Sequence, residues 1–149
     1  MKKITNLNLT VTIALLFGLV FAQGCGSSGS DPAPNASDQV KAILTSGTWK
    51  INSVVVDGTD ESGVYENLTL NFTSTAYTTT HGNAIWPASG EWSFSDANGE
   101  TIKRSDGLLI TVTSAEASKL ILRLNWNSTT IGPGRVLSVG GTNVFTFGK

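Results

Sequence analysis

Apolar residues follow three different patterns along this chain. From Leu9 to Ala22 they run almost without interruption, broken only by Thr10, Thr12 and Gly18. From Gly26 to Asn35 there is no apolar period at all, and Gly, Ser and Pro dominate. From residue 36 onward the pattern becomes periodic, first at helical and then at strand spacing. Asn35 is placed to cap a short helix with Asp38 at its third position, and Val40, Ile43 and Leu44 form one apolar stripe on it. Thr45-Ser46-Gly47 stops that helix. A helix this short does not persist alone, so the stripe predicts that it covers something.

After Gly47 the period is two. Thr48 to Val56 reads as a first strand ended by Asp57-Gly58. Its alternation slips, because Trp49 and Ile51 share one face while Val54, Val55 and Val56 run together. A bulge near Asn52-Ser53, or burial on both faces, accounts for that. Leu68, Leu70 and Phe72 alternate with polar residues, and Ala76 to Thr80 is a Thr-rich partner strand that ends at the turn His81-Gly82-Asn83. Trp92 and Phe94 mark the next strand, followed by the turn Asp96-Ala97-Asn98-Gly99 and a short strand from Thr101 to Arg104. Asp106-Gly107 is a two-residue hairpin signal. Leu108, Ile110 and Val112 alternate, as do Leu120, Leu122, Leu124 and Trp126. Gly132-Pro133-Gly134 makes a tight loop. Val136 to Val139 and Asn143 to Phe147, separated at Gly140-Gly141, form either a last hairpin or one kinked strand.

Roughly eight to ten short strands joined by hairpin-sized turns, each with one apolar face, define an all-β antiparallel meander. Such a meander leaves its apolar face wet unless it closes into a barrel or stacks as a two-sheet β-sandwich. The expectation is an up-and-down barrel of about eight strands with a short N-terminal helix, the sandwich being the alternative.

The first two patterns say where such a domain resides. Met1-Lys2-Lys3 is cationic, the apolar run after it is shorter than the roughly 20 residues that span a bilayer, and a small residue precedes the break. Residues 1–24 therefore read as a signal peptide. Cys25 is the only cysteine, and it lies between the apolar run and the Gly/Ser-rich stretch. Ala22-Gln23-Gly24-Cys25 resembles the lipobox of bacterial lipoproteins, with Gln23 departing from the usual pattern. The resemblance implies a diacylglycerol on Cys25, cleavage before it and acylation of the new amino terminus. Several acyl chains, each contributing about 0.8 kcal/mol per buried CH₂, hold a protein on a membrane far longer than one. Residues 25–35 form a tether with a reach of ~15–20 Å, and residues 36–149 form the β domain. Gly26 stands where inner-membrane lipoproteins commonly carry Asp, so the resemblance implies the outer membrane, with the periplasmic or surface-facing side open.

Charge narrows the partners. Loss of Lys2 and Lys3 with the leader leaves 8 of the 10 basic residues against 11 acidic ones, a net −3. No basic stripe marks a nucleic-acid binder. The membrane is a partner through the lipid on Cys25, and a small apolar ligand or an envelope component is the further partner expected.

The helix, then Gly47-Thr48-Trp49 opening the first strand, then the meander, resembles the lipocalin-like domain family of small bacterial lipoproteins. The resemblance implies a barrel in which Gly47 and Trp49 are structural. Trp49 would pack at the closed end under an Arg from a late strand, for which Arg123 and Arg135 are the candidates. It also implies a non-enzymatic role, with an apolar or amphipathic ligand held in the barrel. The alternative is a structural or interaction lipoprotein with a filled core and partner-contacting loops.

Candidate chemistry is sparse. His81 is the only histidine and sits in a turn, without Cys, Asp or Glu at metal-ligand spacing. Asp57, Asp60 and Glu61 make an acidic turn without EF-hand spacing, which reads as a solvated loop. Glu91 and Glu100 flank a hairpin, but the pattern shows no cleft between them for glycosidase chemistry. No Gly-x-Ser-x-Gly elbow is present. Neither catalysis, cofactor nor metal is expected. Trp92, Phe94 and Trp126 fall on apolar strand faces, where core packing is the default and lining a ligand cavity the functional alternative. Trp86, in the loop Ile85-Trp86-Pro87, is the candidate for partner contact.

Overall fold

The computed structural model describes residues 34–149; the leader, Cys25 and the tether through residue 33 lie outside the described residues. Helix α1 spans Ala36–Leu44. The Asn35 side chain accepts a hydrogen bond from the Asp38 amide at 2.8 Å, a cap that contributes about 1 kcal/mol. At the other end the Thr45 amide and hydroxyl both donate to the Lys41 carbonyl. Leu44 is fully buried, and Val40 and Ile43 pack against the core.

Eleven strands follow: β1 (Thr48–Val56), β2 (Thr59–Asp60), β3 (Thr69–Phe72), β4 (Ala76–Thr80), β5 (Ser89–Phe94), β6 (Thr101–Arg104), β7 (Leu109–Ala115), β8 (Lys119–Trp126), β9 (Thr130–Gly132), β10 (Arg135–Ser138) and β11 (Gly141–Gly148). Neighbours pair antiparallel in the order β1-β3-β4-β5-β6-β7-β8-β11, and β11 pairs back with β1 from Lys50↔Gly148 to Val56↔Asn143. That last pairing closes an eight-stranded antiparallel barrel and settles the choice against a sandwich. Closure thereby removes the unpaired edge that an open sheet would leave on β11.

Register explains the slipped pattern in β1. Pairing with β11 shifts between Ile51 and Ser53, so Asn52 is a bulge. One extra residue moves the inward parity from odd to even positions. Trp49 is buried before the bulge, and Val54 and Val56 are buried after it. Asp57 and Gly58 then take positive φ (47° and 90°) in a two-residue turn into β2, the geometry that suits a tight hairpin.

Three local expectations are corrected. The segment around Asp60 and Glu61 is not a plain acidic turn: it contains β2 and a 3₁₀ turn at Ser62–Tyr65, whose Tyr65 is fully buried. The hairpin at Asp106-Gly107 has a three-residue loop, because the Arg104 amide bonds the Leu108 carbonyl and the Gly107 amide bonds Arg104. The Asp106 carboxylate also accepts from the Leu108 amide, which stabilises the longer loop. Finally, residues 136–139 and 143–147 form neither a hairpin nor one strand. β10 pairs with β9 in a separate ribbon, while β11 sits between β8 and β1. Both partners are supplied by tertiary placement and not by local turn chemistry.

The barrel has two ends. α1, the 73–75, 95–100 and 116–118 turns and Lys149 lie at the helix end. The β1–β2 turn, the 3₁₀ turn, the 81–88 loop, the 105–107 loop and the β9–β10 ribbon lie at the loop end. No helix among the described residues is long and apolar enough to cross a membrane.

Candidate functional site

The interior is the first place to look for a site, and side chains occupy it. Aromatic rings touch in series: Tyr65–Phe145 at 5.1 Å, Phe145–Trp86 at 5.8 Å, Trp86–Tyr77 at 6.0 Å, Tyr77–Phe72 at 6.4 Å, Phe72–Trp92 at 5.4 Å and Trp92–Phe94 at 5.1 Å. Most of these pairs are edge-to-face, the preferred arrangement of aromatic quadrupoles. Leu70, Ile102, Ile110, Leu122 and Phe147 are also buried in this core. Interior-facing positions of a small barrel are filled in this way when no ligand chamber is kept.

The helix end is sealed by Trp49. Its ring is fully buried, and its Nε1 donates to the Leu44 carbonyl at 3.0 Å, which joins the first strand to the C-terminus of α1. The cation over the ring is Lys149, with Nζ 4.4 Å from the centroid. Arg123 and Arg135, the candidates for that place, are both exposed on strands. Alternation turns Arg123 outward between the buried Leu122 and Leu124, and Arg135 lies in the outlying ribbon. Gly47 takes φ +152° between α1 and Trp49.

The loop end is sealed by Trp86, which is 1% exposed and therefore does not contact a partner from the surface. The 81–88 loop folds into the barrel mouth instead of projecting from it. His81 and Asn83 adopt positive φ (55° and 54°) on either side of Gly82. The Trp86 amide donates to the Gly82 carbonyl at 3.0 Å. Any Cβ at Gly82 would lie 2.1 Å from the Trp86 carbonyl oxygen, so only glycine permits this approach. Thr79 Oγ1 donates toward the Trp86 and Pro87 carbonyls, and Asn83 Nδ2 donates to the Val64 carbonyl at 2.8 Å.

Arg104 holds this seal from the other side. It is 2% exposed, with its guanidinium 5.7 Å from the centroids of both Tyr77 and Trp86. Nη1 donates to the Ile85 carbonyl, and Nε and Nη2 pair with the Asp106 carboxylate. A buried cation requires such neutralisation. The hydrogen bond from Arg104 holds the Asp106 carboxyl below its ordinary value. Burial pushes Tyr77 up and raises Tyr65 to about 12. The Trp86 Nε1 itself is buried without an acceptor, which costs on the order of 1–3 kcal/mol. No motif marks Arg104, yet the Ile102-x-Arg104 spacing puts it on the same inward face as Ile102.

The remaining candidates are not brought together: Trp92 lines an open groove of about 570 Å³ over β5 and β6 with Thr75, Glu91, Lys103, Arg104 and Ser105, and neither Phe94 nor Trp126 lines it. Trp92 and Phe94 touch each other toward the helix end, where the Trp92 Nε1 donates to the Thr73 and Ala76 carbonyls. Trp126 lies at the other end, donating to Ser138 Oγ at 3.1 Å. Glu91 and Glu100 sit at opposite ends of the β5–β6 hairpin, Glu91 beside Ser105 and Glu100 beside Asp96. His81 is exposed. Among the described residues no three His, Cys, Asp or Glu side chains converge for a metal.

Concave space lies on the outside. A groove of about 620 Å³ opens where the β1–β3 pairing ends at Lys50 and Thr69, over Ile51 and Leu68 and rimmed by Lys50, Asn52, Glu66 and Asn67. The β9–β10 ribbon exposes a cross-strand apolar pair, Ile131 and Val136.

Compared with known proteins, the sequence matches no family model, and no curated protein matches it significantly.

Proposed function

We propose that this chain is a non-enzymatic lipoprotein, anchored through lipid on Cys25 in the outer membrane, whose barrel serves as a filled scaffold and meets envelope partners with its outer surface. The observation that carries this reading is the unbroken series of ring contacts from Tyr65 to Phe94 through the barrel. A drug-sized ligand needs a pocket of about 300–1,000 Å³, and the two spaces of that size described above, at the β1–β3 seam and over β5 and β6, are open grooves on the outside of the barrel. The lipid anchor rests on the leader and Cys25, and the outer-membrane assignment on Gly26.

One observation favours a second reading. The Trp86 indole N–H has no acceptor in its seat. An amphipathic ligand that displaced Trp86 would let that N–H return to water and would take its place among Tyr77, Phe145 and Arg104.

Titration with the environment-sensitive apolar dye N-phenyl-1-naphthylamine separates the two. The filled-scaffold reading expects no saturable fluorescence gain with the folded protein. Saturable one-to-one uptake that quenches tryptophan emission would replace it with the ligand-binding reading. For the anchor, labelled palmitate should enter the wild type and not Cys25→Ala; equal labelling of both would remove the anchor from the proposal.

A further inference from the structure

We propose that Asn98 is a site of spontaneous conversion to isoaspartate, and that the conversion unseats α1 from the barrel. Asn98-Gly99 is the one Asn-Gly step in the chain. Asparagine is chemically labile, and a following glycine, lacking Cβ, leaves its own nitrogen unshielded.

The local structure keeps that nitrogen available. The Asp96 carboxylate accepts hydrogen bonds from the amides of Asn98 (2.9 Å), Glu100 (3.0 Å) and Thr101 (2.7 Å). The Gly99 amide makes no hydrogen bond among the described residues. Asn98 is exposed, so water reaches its carboxamide. In the reaction the Gly99 nitrogen gives up its proton and bonds to Asn98 Cγ. The Cγ–Nδ2 bond breaks, and the nitrogen leaves as ammonia with that proton. Water then opens the cyclic imide. Attack at the side-chain carbonyl leaves an aspartate; attack at the main-chain carbonyl leaves isoaspartate, with the backbone routed through Cβ. Water is the only co-reactant.

The consequence follows from what lies on Gly99. This glycine is buried, at φ +75°, beneath the first half of α1. A Cβ built on it would lie 3.0 Å from Ser37 Cα and 3.1 Å from Val40 Cβ. There is no spare space for a main chain lengthened by one methylene, and the new carboxylate stands between Asp96 and Glu100 in sequence. The contact with Ser37 and Val40 is therefore lost, while the eight-stranded ladder is untouched.

The test ages the full-length protein in mildly alkaline buffer beside Asn98→Gln, whose longer side chain disfavours imide closure. Isoaspartyl methyltransferase labelling of proteolytic peptides and hydrogen exchange are read on the same samples. We expect label in the peptide carrying Asn98 in excess over every other asparagine peptide, and background label there in Asn98→Gln. The labelled fraction should lose amide protection across α1 and keep it in β8 and β11. An unlabelled Asn98 peptide, or one labelled no more than that of Asn127, overturns the site. Label with α1 protection unchanged overturns the coupling to the helix. Unaged Asn98→Gln with native protection in β8 and β11 establishes that the variant is folded.

Discussion

Each end of the barrel is closed by a tryptophan, and the two closures are built differently. Trp49 sits on a strand, fully buried, with its N–H satisfied by Leu44 and a lysine over its face. Trp86 sits on a loop, equally buried, with its N–H unsatisfied and a buried arginine beside it that depends on a half-exposed Asp106. The same side chain is thus a complete seal at one end and an incomplete one at the other. An indole contributes its large apolar area wherever it is buried, but the polar edge is neutral only where an acceptor waits. The difference predicts that the loop end opens more readily than the helix end.

The largest effect should come from the complete seal. Trp49→Ala should cost about 3–5 kcal/mol, the range for deleting a buried large aromatic, as measured by urea denaturation. A loss below about 1 kcal/mol would remove the distinction between the ends. Trp86→Ala should cost less, about 2–3 kcal/mol, because the cavity term is partly offset by removal of the unsatisfied N–H. A loss for Trp86→Ala equal to or above that of Trp49→Ala would show that the orphan N–H carries no penalty.

Asp106→Asn probes the latch. It removes the countercharge of a buried guanidinium whose partner is half in water, so the expected loss is about 1–2 kcal/mol. Hydrogen exchange should rise in residues 81–88 and stay unchanged in α1. Uniform loosening at both ends would mean that Arg104 serves the whole barrel and not its loop end.

Alkaline pH gives the smallest and most local effect. Tyr65 is raised to about 12 by burial, while in the unfolded chain a tyrosine titrates near ~10. Between those values the unfolded state has lost the proton that the folded state retains, so stability falls as pH rises through that window. Tyr65 accepts from the Val139 amide at the loop end, and β9–β10 and the 3₁₀ turn should therefore lose protection first. Tyr65→Phe should flatten the slope. An unchanged slope in that variant would assign the titration to another group, with Tyr77, also raised by burial, the first to test.

Much of this arrangement is legible in the chain. Alternation at Leu68-Leu70-Phe72 and Leu120-Leu122-Leu124 identifies inward faces correctly, because a strand has no other way to bury one side. The slip at Val54 to Val56 points to a bulge or to burial on both faces, and only the register with β11 decides for the bulge. Turn residues mark most of the strand ends. Arg104 is also present in the alternation, although a charged residue at an inward position is easily taken for an outward one. Trp86 is not legible: between Gly82 and Pro87 it has no period, and a loop aromatic reads as a surface contact until the loop is seen to fold back.

The sequence by itself determined the class of structure: a capped helix, alternating strands and short turns that force a one-faced meander to close. These are properties of adjacent residues, whose backbone preferences and spacing act within a few positions. Tertiary structure alone decided which strands meet at the closure, with β11 between β8 and β1 and β10 set aside in a ribbon. It also decided that Lys149 and not an arginine covers Trp49, and that Trp86 turns inward to lie against Arg104. Those contacts join residues far apart in the chain, as in the 100-residue span from Trp49 to Lys149. Their free energy depends on desolvation and on partners that exist only once the barrel has closed.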